Sequence, residues 1–178
     1  MSSSGSGKFA GKHGGNWRNQ VQFDPHADEK FGNIYKIEDD SLIDSMTHLI
    51  DDSETIEQIW VFQCPLWWWQ LTQFFFNHQF VVVETKNWWW SIEKNSKHIL
   101  IQRAKRLSSV KDFLNQTPRH TPVMQMSYDR GRDSMKELIT FLYKTDELNK
   151  HYDWINDNCK SFTKRVFDQF AKKNFHHP

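Results

Sequence analysis

Residues 78–93 read HQFVVVETKNWWWSIE. β-Branched and aromatic residues dominate on both sides of the turn-forming pair Lys86-Asn87, as is typical of two paired strands. Residues 60–64 and 99–103 read WVFQC and ILIQR, and both are short runs of the same kind. Together the four segments predict an antiparallel meander, and this sheet decides the fold.

Helical spacing of apolar residues marks the regions on either side of the meander. The strongest predicted helix covers residues 158–172, where Phe162, Val166 and Phe170 form one apolar stripe. The predicted fold is therefore α+β, with a small antiparallel sheet packed against this helix. Further helices are expected at residues 41–59 (with a break near 51–53), 108–115 and 134–145, and a short strand at 123–126.

Length and composition indicate one folded domain. The chain has 178 residues, and aromatic residues make up 15% of it, so a modest number of large rings buries a core. Residues 1–16 are rich in Ser and Gly and are expected to be a disordered tail. Residues 17–178 then form a single domain with an acidic, helical segment near its N-terminal end.

Charge is balanced overall but unevenly distributed. The chain carries 23 Lys and Arg against 22 Asp and Glu, a formal net charge of +1, so no nucleic-acid partner is expected. Residues 24–57 hold eleven acidic and two basic residues, whereas residues 86–119 hold eight basic and two acidic ones. Either the two segments neutralise each other, or the basic segment meets anionic lipid or phosphate through residues such as Arg103.

Cellular location and ligands follow from what the sequence contains. The two cysteines, Cys64 and Cys159, are too few for a disulfide framework, and no secretory leader or membrane-spanning run is visible, so we expect a cytoplasmic protein. No zinc-like spacing or Gly-rich phosphate loop occurs, so no metal and no cofactor are expected. The triple Trp67-Trp68-Trp69 is interpreted either as core or as a peripheral contact with a membrane.

Cys159 is a candidate nucleophile because of its position in the last helix. Asn158 is a suitable N-cap, which places Cys159 in the first helical turn. Unpaired amides and the helix dipole favour an anion there, and both lower the pKa of a thiol. The thiolate is the attacking species. The spacing of Cys159 with Phe162 and Val166 is equally typical of a buried core cysteine.

His78 is a candidate base at the start of the first strand of the hairpin. An imidazole beside a thiol takes its proton and later returns it to a leaving group, although a strand-end histidine bonded to backbone is the simpler interpretation. Counting back from the turn pairs Val82 with Ser91 and places Asn95 opposite His78, with Glu93 on the diagonal. Asn95 is better placed to orient the imidazole, whereas Glu93 stabilises an imidazolium more.

These residues resemble a known superfamily. Asn158-Cys159-x-x-Phe162 at a helix start, after a His78 that begins a strand, is similar to the motifs of the permuted papain-like enzymes. That group includes the NlpC/P60 peptidases and the lecithin:retinol acyltransferase-like enzymes. The resemblance covers residues 60–172 and implies a permuted papain-like fold.

The resemblance also implies a reaction. The Cys159 thiolate attacks an acyl ester or amide and forms a thioester, and His78 protonates the leaving group. Asn95 or Glu93 orients His78, and the backbone amide of Cys159 helps to hold the oxyanion. The expected function is a cysteine-dependent hydrolase or acyltransferase that acts on an acyl lipid or on a peptide or protein.

A binding module is the alternative. Acyltransferase-like members carry a second histidine on the strand after the first, and residues 88–95 contain none. This departure favours a catalytically inactive relative that recognises a protein or a membrane surface through its aromatic clusters, among them Trp67, Trp68 and Trp69.

Overall fold

A computed structural model describes residues 17–29, 32–65, 77–153 and 157–172. The predicted tail at residues 1–16 and the tryptophans 67–69 lie outside the described residues. None of the described helices has the length and apolar character that crossing a membrane requires. The described strands are β1 (Gln20–Asp24), β2 (Tyr35–Glu38), β3 (Ile56–Pro65), β4 (Asn77–Thr85), β5 (Trp89–Lys94), β6 (Ile99–Ala104), β7 (Phe113–Leu114), β8 (Thr117–Pro118) and β9 (Met124–Arg130), and the helices are α1 (Leu42–Leu49), α2 (Leu107–Lys111), α3 (Met135–Lys144) and α4 (Cys159–Phe170).

Seven of the strands form one mixed sheet in the order β2-β1-β6-β5-β4-β3-β9. The predicted meander is confirmed, because β3, β4, β5 and β6 pair in sequence and antiparallel. The hairpin register is also confirmed, since Val82 faces Ser91. The sheet is larger than expected, because β9 adds beside β3 and β1 adds beside β6, the latter in parallel. The architecture is α+β with a mostly antiparallel sheet.

The predicted helix over residues 41–59 is correct only in its first half. Helix α1 ends at Leu49, and no helix resumes, because residues 56–59 open strand β3. Strand β3 is an interior strand: Ile59 pairs with Val83 of β4 on one side and with Asp129 of β9 on the other. Hydrogen bonding to two neighbours outweighs the local helical pattern.

Two other predicted elements are shorter or longer than expected. The helix expected at residues 108–115 ends at Lys111 and is followed by the small β7–β8 hairpin. Asn115 and Gln116 form its turn with positive φ angles of 47° and 63°, a conformation that favours a turn over a helix. The strand expected at 123–126 extends to Arg130 because it pairs along β3.

Both faces of the sheet are covered at β4, which explains the unbroken apolar run in that strand. Val81 and Val83 pack with Phe162 of α4, whereas Phe80 and Val82 pack with Val110 of α2. Successive residues of a strand alternate between faces, so a strand covered on both sides is apolar throughout. This places α4 against the hairpin that carries His78.

The acidic and basic segments meet in at least one buried ion pair. Arg103 Nη1 lies 3.5 Å from Glu54 Oε1, and the Arg103 guanidinium carbon lies 4.3 Å from the centroid of the Trp88 ring. Arg103 is only 8% exposed, so it is neutralised within the fold. At this position the structure agrees with mutual neutralisation of the two segments.

Candidate active site

The start of α4 presents Cys159 as the sequence predicts. Asn158 is the N-cap, and its side chain accepts hydrogen bonds from the backbone N–H groups of Lys160 at 2.9 Å and Ser161 at 3.2 Å. The Ser161 hydroxyl in turn accepts from the Asn158 backbone N–H, which completes a capping box. Cys159 is therefore held in the first turn of a firmly capped helix.

The structure brings Cys159 and His78 into contact. The thiol is hydrogen bonded to the His78 side chain, and its Sγ lies 3.8 Å from the carbonyl oxygen of Asn77. The backbone N–H of Gln79 also donates to the sulfur. Three consecutive residues at the start of β4 thus surround the sulfur, although 81 positions separate Cys159 from His78 in the sequence.

Glu93 holds the other side of the imidazole. His78 Nε2 lies 2.7 Å from Glu93 Oε2, and the Glu93 side chain is fully buried. Because Nε2 bonds the carboxylate, Nδ1 is the ring nitrogen left for the thiol. The Phe80 ring stacks on His78 with centroids 6.2 Å apart, so the imidazole is restrained from two directions.

Asn95 has a different role from the one the hairpin register suggested. Its Oδ1 accepts from the backbone N–H groups of Lys97 at 2.8 Å and His98 at 3.0 Å. Its Nδ2 lies 3.2 Å from His98 Nε2. Among the described residues, Asn95 thus bonds to the β5–β6 turn. The side chain that holds the His78 ring is that of Glu93. The longer glutamate reaches diagonally across the ladder, whereas the turn engages the shorter asparagine.

Tyr152 adds a hydroxyl to the thiol. It is hydrogen bonded to the side chain of Cys159 and to its backbone N–H. Burial, followed by the charge on Cys159, raises the pKa of Tyr152, so the phenol stays protonated as a neutral donor. The Cys159 amide expected to help hold an oxyanion therefore meets the Tyr152 hydroxyl in this structure.

The pKa values of Cys159 and His78 are shifted in opposite directions. Burial by itself raises the pKa of Cys159, but hydrogen bonding to His78 and the charge of its ring outweigh it, and the thiol pKa is lowered. Burial by itself lowers the pKa of His78, but its bonds to Cys159 and Glu93 raise it to about 9. The two directions favour a thiolate beside an imidazolium at neutral pH.

The second cysteine lies nearby in a contrasting environment. Cys64 of β3 faces His78 in the strand register, and its sulfur lies 4.0 Å from Arg119 Nη1. Both cysteines are buried free thiols. Burial raises the pKa of Cys64 despite the charge of Arg119, so the two thiols differ in the direction of their shifts.

Sequence reasoning missed Arg119 and Tyr152. Arg119 follows β8 and bonds Glu93. Tyr152 precedes Cys159 by seven positions and lies in the connection between α3 and α4. No local pattern links either residue to the pair, because both reach it through loops. The sequence gives one weak indication for Tyr152, which is that it begins the segment 152–162 that contains the Asn158-Cys159 motif.

Comparison with known proteins identifies no relative of this chain. No protein-family model matches the chain, and neither does any curated protein or solved structure.

Proposed function

We propose that the chain is a cysteine-dependent hydrolase or acyltransferase, with Cys159 as nucleophile and His78 as general acid and base. One observation carries the proposal: the thiol at a capped helix start is bonded to an imidazole whose far nitrogen is held by a buried carboxylate. A nucleophile, a base and a group that orients the base form the constellation of thiol acyl transfer.

The proposed reaction has two halves. The Cys159 sulfur bonds to the carbonyl carbon of an ester or amide, and the bond to the leaving group breaks as His78 donates its Nδ1 proton to it. Water, or a second acceptor, then gives its proton to His78 and attacks the thioester, which releases the acyl product and returns the thiolate. Glu93 stabilises the imidazolium throughout the cycle.

We place the oxyanion beside the backbone N–H of Cys159 and the hydroxyl of Tyr152. The N–H now donates to the Tyr152 hydroxyl oxygen, and the hydroxyl is bonded to the sulfur, so a carbonyl oxygen that enters between them would accept from both. Donors that converge beside the nucleophile before substrate arrives stabilise the charge that develops in the transition state.

The permuted papain-like arrangement is part of the same proposal. Its support is the order of His78 before Cys159, the antiparallel strands β3 to β6, and the packing of α4 against them. Glu93 would occupy the role that a second histidine has in acyltransferase-like enzymes. The substrate proposed is an acyl lipid or a peptide, and turnover of a nitrophenyl acyl ester against a peptide anilide separates the two.

The test is the pH dependence of Cys159 alkylation by iodoacetamide in a Cys64→Ser background. We expect a profile whose midpoint lies well below that of glutathione, because the thiol pKa is lowered. The matched control is Cys159→Ser with Cys64 retained, which should titrate at or above an ordinary thiol. An ordinary midpoint for Cys159 in the folded protein would overturn the proposal and leave the binding module as the remaining interpretation.

A further inference from the structure

Arg119 enters the candidate site from the segment that covers the face of the sheet opposite α4. Its side chain is 5% exposed, and its Nη2 lies 2.7 Å from Glu93 Oε1. The other carboxylate oxygen, Oε2, is the one that His78 uses. Each oxygen of Glu93 therefore has its own charged or chargeable partner.

The Arg119 guanidinium is itself held in place. Its Nε donates to the Lys111 carbonyl at 3.0 Å, and its central carbon lies 4.1 Å from the centroid of the Phe80 ring. Arginine stacks on aromatic rings while its planar fork donates hydrogen bonds in fixed directions. The same Phe80 ring stacks on His78, so one aromatic ring restrains both cations.

A fully buried carboxylate needs such a partner to remain charged. Burial raises the pKa of an isolated carboxyl group, and a protonated Glu93 would lose most of its attraction for an imidazolium. The charge of Arg119, followed by the contacts with His78, more than offsets the burial of Glu93, and the pKa of its carboxyl group lies at about 2.

From this geometry we propose that Arg119 is a positioning residue of the site: it keeps Glu93 ionised and directed at His78, and thereby keeps the imidazolium facing Cys159. The inference rests on the proposed function, since it assigns to Arg119 a role in activating the same thiol. Arg119 acts through Glu93 and does not touch the sulfur of Cys159.

The experiment measures Cys159 alkylation by iodoacetamide against pH in the Cys64→Ser background. Arg119→Met should lower the rate at pH 6.5 about tenfold and move the midpoint toward that of an ordinary thiol, because the charge that supports Glu93 is gone. Arg119→Lys keeps a charge without the fork and should lose about threefold. Thermal unfolding of each variant reports whether it folds.

A double-mutant cycle shows whether Arg119 acts through Glu93. Once Glu93→Gln is present, adding Arg119→Met should change the alkylation rate less than twofold, because the carboxylate through which Arg119 acts has been removed. The double variant removes both charges of the pair and is the version to compare if Arg119→Met alone does not fold. A tenfold further loss in the Glu93→Gln background would overturn the inference.

Arg103→Met is the matched control, because Arg103 is equally buried, stacks on aromatic rings and pairs with Glu54 far from the thiol. It should leave the alkylation profile unchanged. If Arg119→Met folds and leaves the alkylation profile of Cys159 unchanged, as Arg103→Met does, while the midpoint in the Cys64→Ser background is lowered, the role of Arg119 is overturned and the proposed function is not. An ordinary profile for Cys159 before any change at Arg119 would instead overturn the proposed function.

Discussion

Glu93 and Lys94 are consecutive residues of β5; Glu93 bonds His78, and Lys94 bonds Asp157 in the segment that leads into Cys159. Glu93 Oε2 lies 2.7 Å from His78 Nε2, and Lys94 Nζ lies 2.7 Å from Oδ2 of Asp157, two positions before Cys159. Adjacent residues of a strand project from opposite faces of the sheet. A single strand thus fixes the imidazole from one face and the start of α4 from the other.

Lys94 belongs to a network of buried and partly buried charges. Lys94 is fully buried and also donates to the Lys150 carbonyl at 2.8 Å. Arg165 of α4 bonds Asp157 at 2.6 Å and makes two further bonds of 2.8 Å to the buried Glu147. The network ties the loop before α4 to the helix itself.

Removing the lysine should therefore loosen the start of α4. We expect Lys94→Met to lower the free energy of unfolding by about 2 kcal/mol, because Asp157 keeps Arg165 as a partner while the Lys150 carbonyl loses its donor. Cys159 alkylation should slow by about threefold. The control is Lys164→Met on the exposed side of α4, where a surface pair is worth about 0.5 kcal/mol or less. Equal effects in urea unfolding would contradict the prediction.

His78→Gln tests the imidazole directly. Glutamine keeps a donor for Glu93 but carries no charge, so the pKa of Cys159 should rise and alkylation at pH 6.5 should fall by tenfold or more. His98→Gln is the comparison, because burial, with the charges of Arg18 and Lys97, lowers the pKa of His98 to about 4 and leaves it neutral at this pH. A profile unchanged by His78→Gln would argue against the pair.

Turnover should follow a bell-shaped pH profile. The rising limb reports ionisation of Cys159 below the range of an ordinary thiol, and the falling limb lies near pH 9, where His78 loses the proton that the leaving group needs. The measurement is kcat/KM for an acyl ester from pH 4 to 11. A rate that keeps rising above pH 10 would indicate that His78 does not act as the acid.

Glu93 should contribute stability that depends on pH. Its pKa in the folded state, about 2, lies below that of an unfolded glutamate, so the contribution is present above roughly pH 4.5 and is lost as the pH falls toward 2. We expect Glu93→Gln to lower the free energy of unfolding by about 3 kcal/mol at pH 7, because Arg119 is left buried without its counter-charge. Chemical unfolding at pH 7, 4 and 2 should show the difference from the unsubstituted protein shrinking with acid; a constant difference would contradict this.

Asn95→Ala separates the two residues considered for orienting His78. The substitution removes the acceptor for two backbone N–H groups of the β5–β6 turn and should cost about 1 kcal/mol of stability. The alkylation profile of Cys159 should stay the same, because Glu93 remains bonded to His78. A profile that moves as far as in Glu93→Gln would return the orienting role to Asn95.

The site was partly predictable because some of its geometry is local. The capped start of α4 depends on residues 158–161, which are contiguous, and the hairpin register follows from a short turn. Counting residues along that hairpin brought both Glu93 and Asn95 near His78. The choice between them was not a local matter, because it depended on the turn after β5 engaging Asn95 and on Arg119 arriving at Glu93.

By itself, the sequence determined the β4–β5 hairpin, its register, and a helix that begins at Cys159, since each arises from hydrogen bonds between neighbours in the chain. Tertiary structure alone decided that residues 56–59 form a strand, that β1 lies parallel to β6, that Arg119 reaches Glu93, and that Tyr152 reaches the Cys159 thiol. These features depend on contacts between distant segments, whose pairing is set by the burial of both faces of the sheet and by the requirement that buried charges find partners.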